Sequence, residues 1–238
     1  MKNMKKVFWI SALSLWMLIG CQKVNHSEWI YLFDGSSLEG WRAFNGNALP
    51  AGWGITEGSL TFNTEIKNEA NHKGGKSIIY ALEEFENFEL FLEWKISEGG
   101  NSGIFYHLSE EFEDITAPEY QLIDDLKWSD YNNNIILKEW QKTGADYAMH
   151  TPDTTKKIVK PAGEWNTTKI IFTSERVEHW HNGVKLLSFV PWSEDWYDRK
   201  SKGKWKDSPN YGKFKFGYIG LQDHDSPIWF KNIKIKKL

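Results

Sequence analysis

Between Gly99 and Asp125 the chain sets out two short runs whose side chains could together hold a carbohydrate. The first, Gly-Gly-Asn-Ser-Gly-Ile-Phe-Tyr-His-Leu, offers Asn101, Tyr106 and His107. The second, Pro-Glu-Tyr-Gln-Leu-Ile-Asp-Asp, offers Glu119, Gln121 and Asp124. In an extended chain alternate side chains share a face, so Glu119, Gln121 and Ile123 align, with Tyr120, Leu122 and Asp124 opposite. The same rule groups Gly103, Phe105 and His107 against Ile104, Tyr106 and Leu108. Amide and ionisable groups set among aromatic and apolar neighbours suit a ligand rich in hydroxyls and partly apolar. Taken singly, each of these residues also reads as part of a solvated sheet face.

A further polar cluster, Gln222-Asp223-His224, lies near the C-terminal end, with Lys231 shortly after it. An unperturbed imidazole titrates near pH ~6.5, so His224 and His107 could each give or take a proton. His224 could equally close a turn before Asp225-Ser226-Pro227. His179 and His181 flank Trp180 at a spacing that puts both rings on one strand face. With Asp124-Asp125 they make a divalent cation the one cofactor these residue types could hold, although no cysteine or third ligand is grouped with the histidines. Trp180 itself is expected in the core.

Strands must position these groups. Phe88–Ser97 alternates most regularly, with Phe88, Leu90, Leu92, Trp94 and Ile96 on one face and Glu89, Glu93 and Lys95 on the other, as in a half-buried antiparallel strand. Trp29–Phe33, Trp53–Phe62, Glu164–Ser174 and Arg176–Trp180 read as strands too. Asn182-Gly183 before Val184–Phe189 is a hairpin signal, because both central turn positions favour positive φ. The last strands are Phe214–Gln222 and Ile228–Ile235. In the latter, Ile228 and Phe230 are out of phase with Ile233 and Ile235, and a bulge near Lys231-Asn232 would reconcile them. Lys127–Pro161 reads as long loops with a helical turn around Ile135–Gln141, and Pro191–Lys213 as a second excursion. The pattern predicts one all-β antiparallel sandwich with long rim loops over residues 29–238.

The 238 residues carry a formal net charge of −3, which argues against a nucleic-acid partner. The 14 Trp, 14 Phe and 9 Tyr supply core volume as well as flat platforms for sugar faces. Residues 1–20 read as a leader: Lys2, Lys5 and Lys6, an apolar run over Val7–Ile19, then Leu18-Ile19-Gly20-Cys21. Leu-x-Gly-Cys resembles the bacterial lipobox, and Cys21 is the single cysteine of the chain. Lipidation at Cys21 would anchor the protein to a membrane of the cell envelope through a short polar tether, residues 21–28.

Leu32-Phe33-Asp34-Gly35 with Gly40-Trp41, Gly100-Asn101-Ser102-Gly103-Ile104, Pro118-Glu119-Tyr120-Gln121-Leu122-Ile123-Asp124, Gly163-Glu164-Trp165-Asn166, His179-Trp180-His181-Asn182-Gly183 and Gly220-Leu221-Gln222-Asp223-His224 follow one another along the chain. In this order they resemble the 3-keto-disaccharide hydrolase domain family. The resemblance implies a concanavalin A-like jelly roll, export as a lipoprotein, and cleavage of glycosides whose C3 hydroxyl has become a ketone. Ala117, where glycine is expected, and the length of Pro191–Lys213 depart from the pattern. A C3 ketone acidifies the C2 proton, so a base can remove it, the C1 substituent can leave, and water can add to the new double bond. Such a site needs a base, an acid and a stabiliser of the enolate. The resemblance offers Glu119 or His107 as base and His224 as acid or its partner. It offers Asn101, Tyr106, Gln121, Asp124, Gln222, Asp223 and Lys231 as substrate ligands. An ordinary retaining glycosidase would instead want two carboxylates about 5 Å apart, and Gln121, in the central place after Glu119, counts against it. A non-catalytic sugar-binding lipoprotein needs only the sandwich and the aromatic rings.

Overall fold

The computed structural model describes residues 28–69 and 76–238. The leader, Cys21 and nearly all of the tether lie outside the described residues. Among the described residues thirteen strands follow in order: β1 (Ile30–Phe33), β2 (Trp41–Ala43), β3 (Trp53–Thr56), β4 (Ser59–Phe62), β5 (Ile78–Phe85), β6 (Phe88–Ile96), β7 (Asn101–Leu108), β8 (Glu119–Ile123), β9 (Asn166–Phe172), β10 (Val177–His181), β11 (Val184–Phe189), β12 (Gly217–Leu221) and β13 (Ile228–Lys237). They form two antiparallel sheets. The larger has the order β11-β10-β9-β6-β13-β4-β3, with β1 also on β13, and the smaller β2-β5-β12-β7-β8.

The core lies between the sheets and obeys the two-residue period. Phe88, Leu90, Leu92, Trp94 and Ile96 of β6 face inward with Ile104 and Tyr106 of β7 and Tyr120 and Leu122 of β8. On β13 the register shifts between Lys231 and Lys234, and Asn232 takes φ +51°. That bulge is the expected one: Ile228, Phe230, Ile233 and Ile235 are all fully buried. Without it Ile233 and Ile235 would turn to solvent, forfeiting roughly 1.5–3 kcal/mol each, more than one interrupted ladder bond is worth. The first half of β13 then pairs β4, and the second half takes β1 on the same edge.

Two sequence expectations are corrected. Trp180 is not in the core; it is half-buried on the outer face of the larger sheet, with Lys169 Nζ 4.1 Å from its ring centre and its indole N–H donated to Glu178. The expected helical turn is a 3-10 turn at Glu139–Gln141, but the connections hold more helix than anticipated: α1 (Thr64–Glu69) between β4 and β5, and α2 (Trp128–Tyr131) and α3 (Glu194–Lys202) in the two long loops. α3 starts where Ser193 Oγ accepts the Trp196 amide, with Glu194 and Asp195 in its first turn and Arg199, Lys200 and Lys202 in its last. It buries Trp196 against Tyr211, and so pins the Pro191–Lys213 excursion over the smaller sheet.

Candidate active site

The outer face of the smaller sheet carries a cavity of about 280 Å³. Its floor comes from the polar sides of β7 and β8 and from the chain just after β12. Register pairs Asn101 with Ile123, Gly103 with Gln121 and Phe105 with Glu119. Because Tyr120 and Leu122 are committed to the core, Glu119, Gln121 and Ile123 must face outward, and all three line the cavity. Gln121 Nε2 donates to Asn101 Oδ1 at 2.9 Å, which fixes both amides and leaves the Asn101 amino group for a ligand. Gln222 enters from the other side, its amide N–H bonded to Gly103 O at 2.9 Å.

Loops close the walls. Residues 144–147 run along the free edge of β8, with Gly144 N to Gln121 O, Gln121 N to Ala145 O and Tyr147 N to Glu119 O at 3.0–3.1 Å. This brings the Tyr147 ring beside Glu119. Trp205 donates its indole N–H to Tyr147 O at 3.2 Å, and Lys204 Nζ lies 4.3 Å from the Tyr147 ring centre. Trp128, Gln141 and His224 complete the rim. The loop after β12 is tied down from beneath. Asp223 accepts Lys67 Nζ at 3.1 Å and the Lys76 amide at 2.9 Å through Oδ2, and the Asp225 amide through Oδ1.

Glu119 is the unusual group. It is only 7% exposed, and its Oε1 has no hydrogen-bond partner among the described residues. Burial pushes its pKa up to about 8; the Lys204 ammonium pulls it down and the Asp146 carboxylate pushes it further up. Gln222 Oε1 is likewise buried without a partner. Two orphan acceptors beside a cavity represent unmet hydrogen-bonding capacity that donor hydroxyls of a ligand would satisfy. A carboxyl that titrates near the working pH can also move a proton in either direction without a large energetic mismatch.

Residues 28–236 match the family model of the 3-keto-alpha-glucoside-1,2-lyase-like domain. The chain belongs to this family. A 3-keto-disaccharide hydrolase of Bacteroides thetaiotaomicron is 34% identical, over 90% of this chain and 80% of that protein. The solved structure of a candidate glycosyl hydrolase from Parabacteroides distasonis is 40% identical, covering 88% of this chain and 94% of that one, with a TM-score of 0.78. A galectin-like protein of unknown function from Bacillus subtilis shares the fold alone, at 14% identity and a TM-score of 0.51, over 88% of this chain and 94% of its own. The fold is therefore a jelly-roll sandwich, and membership of the lyase-like family makes the protein a glycoside-cleaving enzyme.

Of the residues expected in the site, Asn101, Glu119, Gln121, Gln222, Asp223 and His224 meet at the cavity. The other four do not. His107 has φ +53°, and opposite it the pairing of β12 slips by one residue, Gly220 facing Phe105 but Tyr218 facing Leu108. This bulge turns His107 inward, where its ring packs 4.1 Å from that of Phe172 and its Nε2 donates to Glu86 O at 2.9 Å. Burial lowers its pKa to about 4, so it stays neutral and away from the cavity. Tyr106 is fully buried, its hydroxyl donating to His179 Nε2 at 3.2 Å. Asp124 accepts the Gly99, Leu126 and Lys127 amides and so shapes the turn that presents Trp128. Lys231 lies on the far sheet, 4.0 Å from the Trp165 ring centre and 3.4 Å from Glu93. Even Asp223, although at the wall, has both carboxylate oxygens engaged by protein, which makes it an anchor.

The residues considered for a cation are also taken up: His179 Nδ1 donates to Gly144 O, His181 Nε2 to Ile158 O, and Asp125 pairs with Lys157. Among the described residues no group of three or more His, Cys, Asp or Glu side chains is arranged to hold a metal ion. Sequence reasoning missed Tyr147, Lys204 and Trp205. They come from aperiodic loops, where the only available signal was aromatic and basic residues side by side, Lys204-Trp205 among them.

Proposed function

We propose that the enzyme cleaves 3-keto-glycosides, 3-keto-disaccharides among them, by elimination across C1–C2 followed by hydration, with Glu119 moving the C2 proton. The observation that carries this reading is a single buried carboxyl with an unpartnered oxygen on the cavity floor, tuned to titrate near pH 8. Ionised Glu119 takes the proton from C2. The C–H electron pair forms the C2=C3 bond of an enolate, and the negative charge moves to the C3 oxygen. Lys204 and the free amino group of Asn101 are the donors available to that oxygen. Collapse of the enolate re-forms the C3 ketone, the C2=C3 pair becomes the C1=C2 bond as the C1–O bond breaks, and the departing oxygen takes a proton from His224. While the unsaturated ketone is held, the proton on Glu119 exchanges with solvent. Water then adds its oxygen to C1 and gives up a proton to the imidazole of His224, Glu119 delivers its solvent-derived proton to C2, and the sum is hydrolysis. The relative from Bacteroides thetaiotaomicron bears a name that fits this substrate class.

An ordinary retaining mechanism is disfavoured because the other carboxylate at the cavity, Asp223, is held by Lys67 and by backbone amides. The test is incubation with a 3-keto disaccharide in deuterated water. The expected product carries deuterium at C2, and the parent disaccharide with its C3 hydroxyl intact is not cleaved. Cleavage without C2 label would remove the proton-transfer role of Glu119.

The lipobox-like Leu18–Cys21 supports a second part of the proposal: removal of residues 1–20, lipidation of Cys21, and residence in the cell envelope as a tethered, peripheral domain. Labelled palmitate should enter the wild type and not Cys21→Ala, and equal labelling of both would refute the anchor.

A further inference from the structure

A second cavity of about 400 Å³ adjoins the first, and Ile115 and Trp205 line both. Nearly all of its wall comes from the end of the excursion, Trp205–Tyr211, and from the loop Asp114–Thr116. Its aromatic side is a stacked pair, Trp205 on Tyr211, with ring centres 4.2 Å apart and planes 8° from parallel. Its polar side carries Asp114, Thr116, Ser208 and Asn210. Among the described residues these four side chains make no hydrogen bond to protein, so their donors and acceptors are open to a ligand.

The wall is built before any ligand arrives. Gly212 N donates to Thr116 O at 2.8 Å, which ties the excursion to the opposing loop. Ser208 N donates to Trp205 O and Tyr211 N to Ser208 O, giving two successive turns, and Lys200 Nζ donates to the carbonyls of Pro209 and Tyr211 at 2.9 Å. Such a chamber costs little ordering when it is occupied.

We propose that this second cavity is the subsite for the leaving group, and that the group it takes is an uncharged sugar ring. The inference rests on the reading that the ring bearing the ketone occupies the first cavity, over Glu119. The scissile bond then lies at the divide formed by Ile115 and Trp205, and the departing half extends toward the Trp205–Tyr211 stack. An aromatic wall facing unpartnered hydroxyl, amide and carboxylate groups is what a sugar requires, with apolar C–H faces and hydroxyls at its edge. Asp114 and Asp207 both line the chamber, so a leaving group bearing a carboxylate or phosphate would meet like charge.

The test compares two substrates that differ only beyond the scissile bond, a 3-keto disaccharide and methyl 3-keto-glucoside. Ser208→Phe fills the chamber, and Asn210→Ala removes one polar contact should the first variant fold poorly. In Ser208→Phe, kcat/KM for the disaccharide is expected to fall at least about tenfold while that for the methyl glycoside changes less than about twofold. Asn210→Ala should lose several-fold on the disaccharide alone. Parallel changes on both substrates, or none on either, overturn the subsite.

If the wild type turns over neither keto sugar, the elimination reading fails separately. Calorimetry with the intact disaccharide and methyl glucoside then judges the chamber. Tighter binding of the disaccharide that is lost in the variants upholds it, and equal binding of the two sugars overturns it.

Discussion

The Glu119 carboxyl lies directly over Gly103: a Cβ at position 103 would stand 2.1 Å from Glu119 Oε1 and 2.7 Å from its Cδ. Glu119 pairs with Phe105 and Gly103 with Gln121, so the glutamate leans diagonally across the strand pair onto the one position without a side chain. Gly103 has an ordinary strand backbone, and what it contributes is space. Gly103→Ala should therefore displace the carboxyl by about an ångström or more and lower turnover roughly a hundredfold. The mobile end of Glu119 can swing aside, so the fold should persist, with a melting temperature within a few degrees of wild type. Steady-state kinetics beside a thermal melt checks both halves, and unchanged turnover would mean that Glu119 does not act from this position.

His107 gives the opposite expectation. It sits at positive φ with its ring in the core, and Asn is among the residues that tolerate that backbone. His107→Asn should keep turnover within a few-fold of wild type. Its stability should drop by about 1–3 kcal/mol, because the Glu86 carbonyl loses a buried donor. A denaturant titration with a parallel activity assay decides the matter. Lost activity at wild-type stability would bring His107 back into the chemistry.

The contrast between Glu119 and His107 shows where the sequence was legible. Wherever the two-residue period ran unbroken, the facing of side chains could be counted off. Glu119, Gln121 and Ile123 face outward, and Tyr120 and Leu122 inward, as alternation requires. The bulge on β13 was legible as well, because apolar residues on both sides of it are out of phase and only one inserted residue restores burial. The bulge at His107 left no such trace: Tyr106 and His107 both fit a core or a surface, so the count ran on through it and inverted the placement of His107. Lys204, Trp205 and Tyr147 were illegible for another reason. Loop positions are set by long-range bonds such as Trp205 Nε1 to Tyr147 O, which has no local period. α3 was in principle readable from Ser193 followed by Glu194 and Asp195, a helix start that the preceding Pro191-Trp192 obscured.

Lys67 should act on the site without touching it. Its ammonium and the Asp223 carboxylate are almost wholly buried and 3.1 Å apart. Lys67→Met leaves a buried carboxylate that keeps only its backbone donors, a loss of about 3–5 kcal/mol in comparable pairs. Freed from its anchor, the loop bearing Gln222 and His224 should bind substrate less well, so KM rises severalfold in whatever fraction stays folded. An unchanged melting temperature with unchanged KM would show that the loop holds its place without the ion pair.

The pH dependence of stability tests the electrostatics of Glu119 apart from any assay of turnover. Its folded pKa of about 8 lies above the ordinary 4.5 because burial penalises the charged form. The folded protein therefore binds this proton more tightly than the unfolded chain does. As pH rises above 4.5 the unfolded chain releases it while the folded one retains it, so stability falls with pH until the folded group ionises near 8. Glu119→Gln is close in shape to the protonated acid and carries no such linkage. The variant should match wild type below pH 4.5, become progressively more stable than wild type between 4.5 and 8, and hold a constant advantage above that. Thermal melts of both proteins at intervals from pH 4 to pH 9 read the difference directly, each pH unit of divergence being worth about 1.4 kcal/mol at most. The same ionisation should govern activity: if Glu119 takes the C2 proton as its carboxylate, kcat/KM rises through a limb near pH 8, and the Gln variant is inactive throughout. Parallel melts across the range would mean that Glu119 ionises like an exposed carboxylate, and the proton-holding role would fall with it.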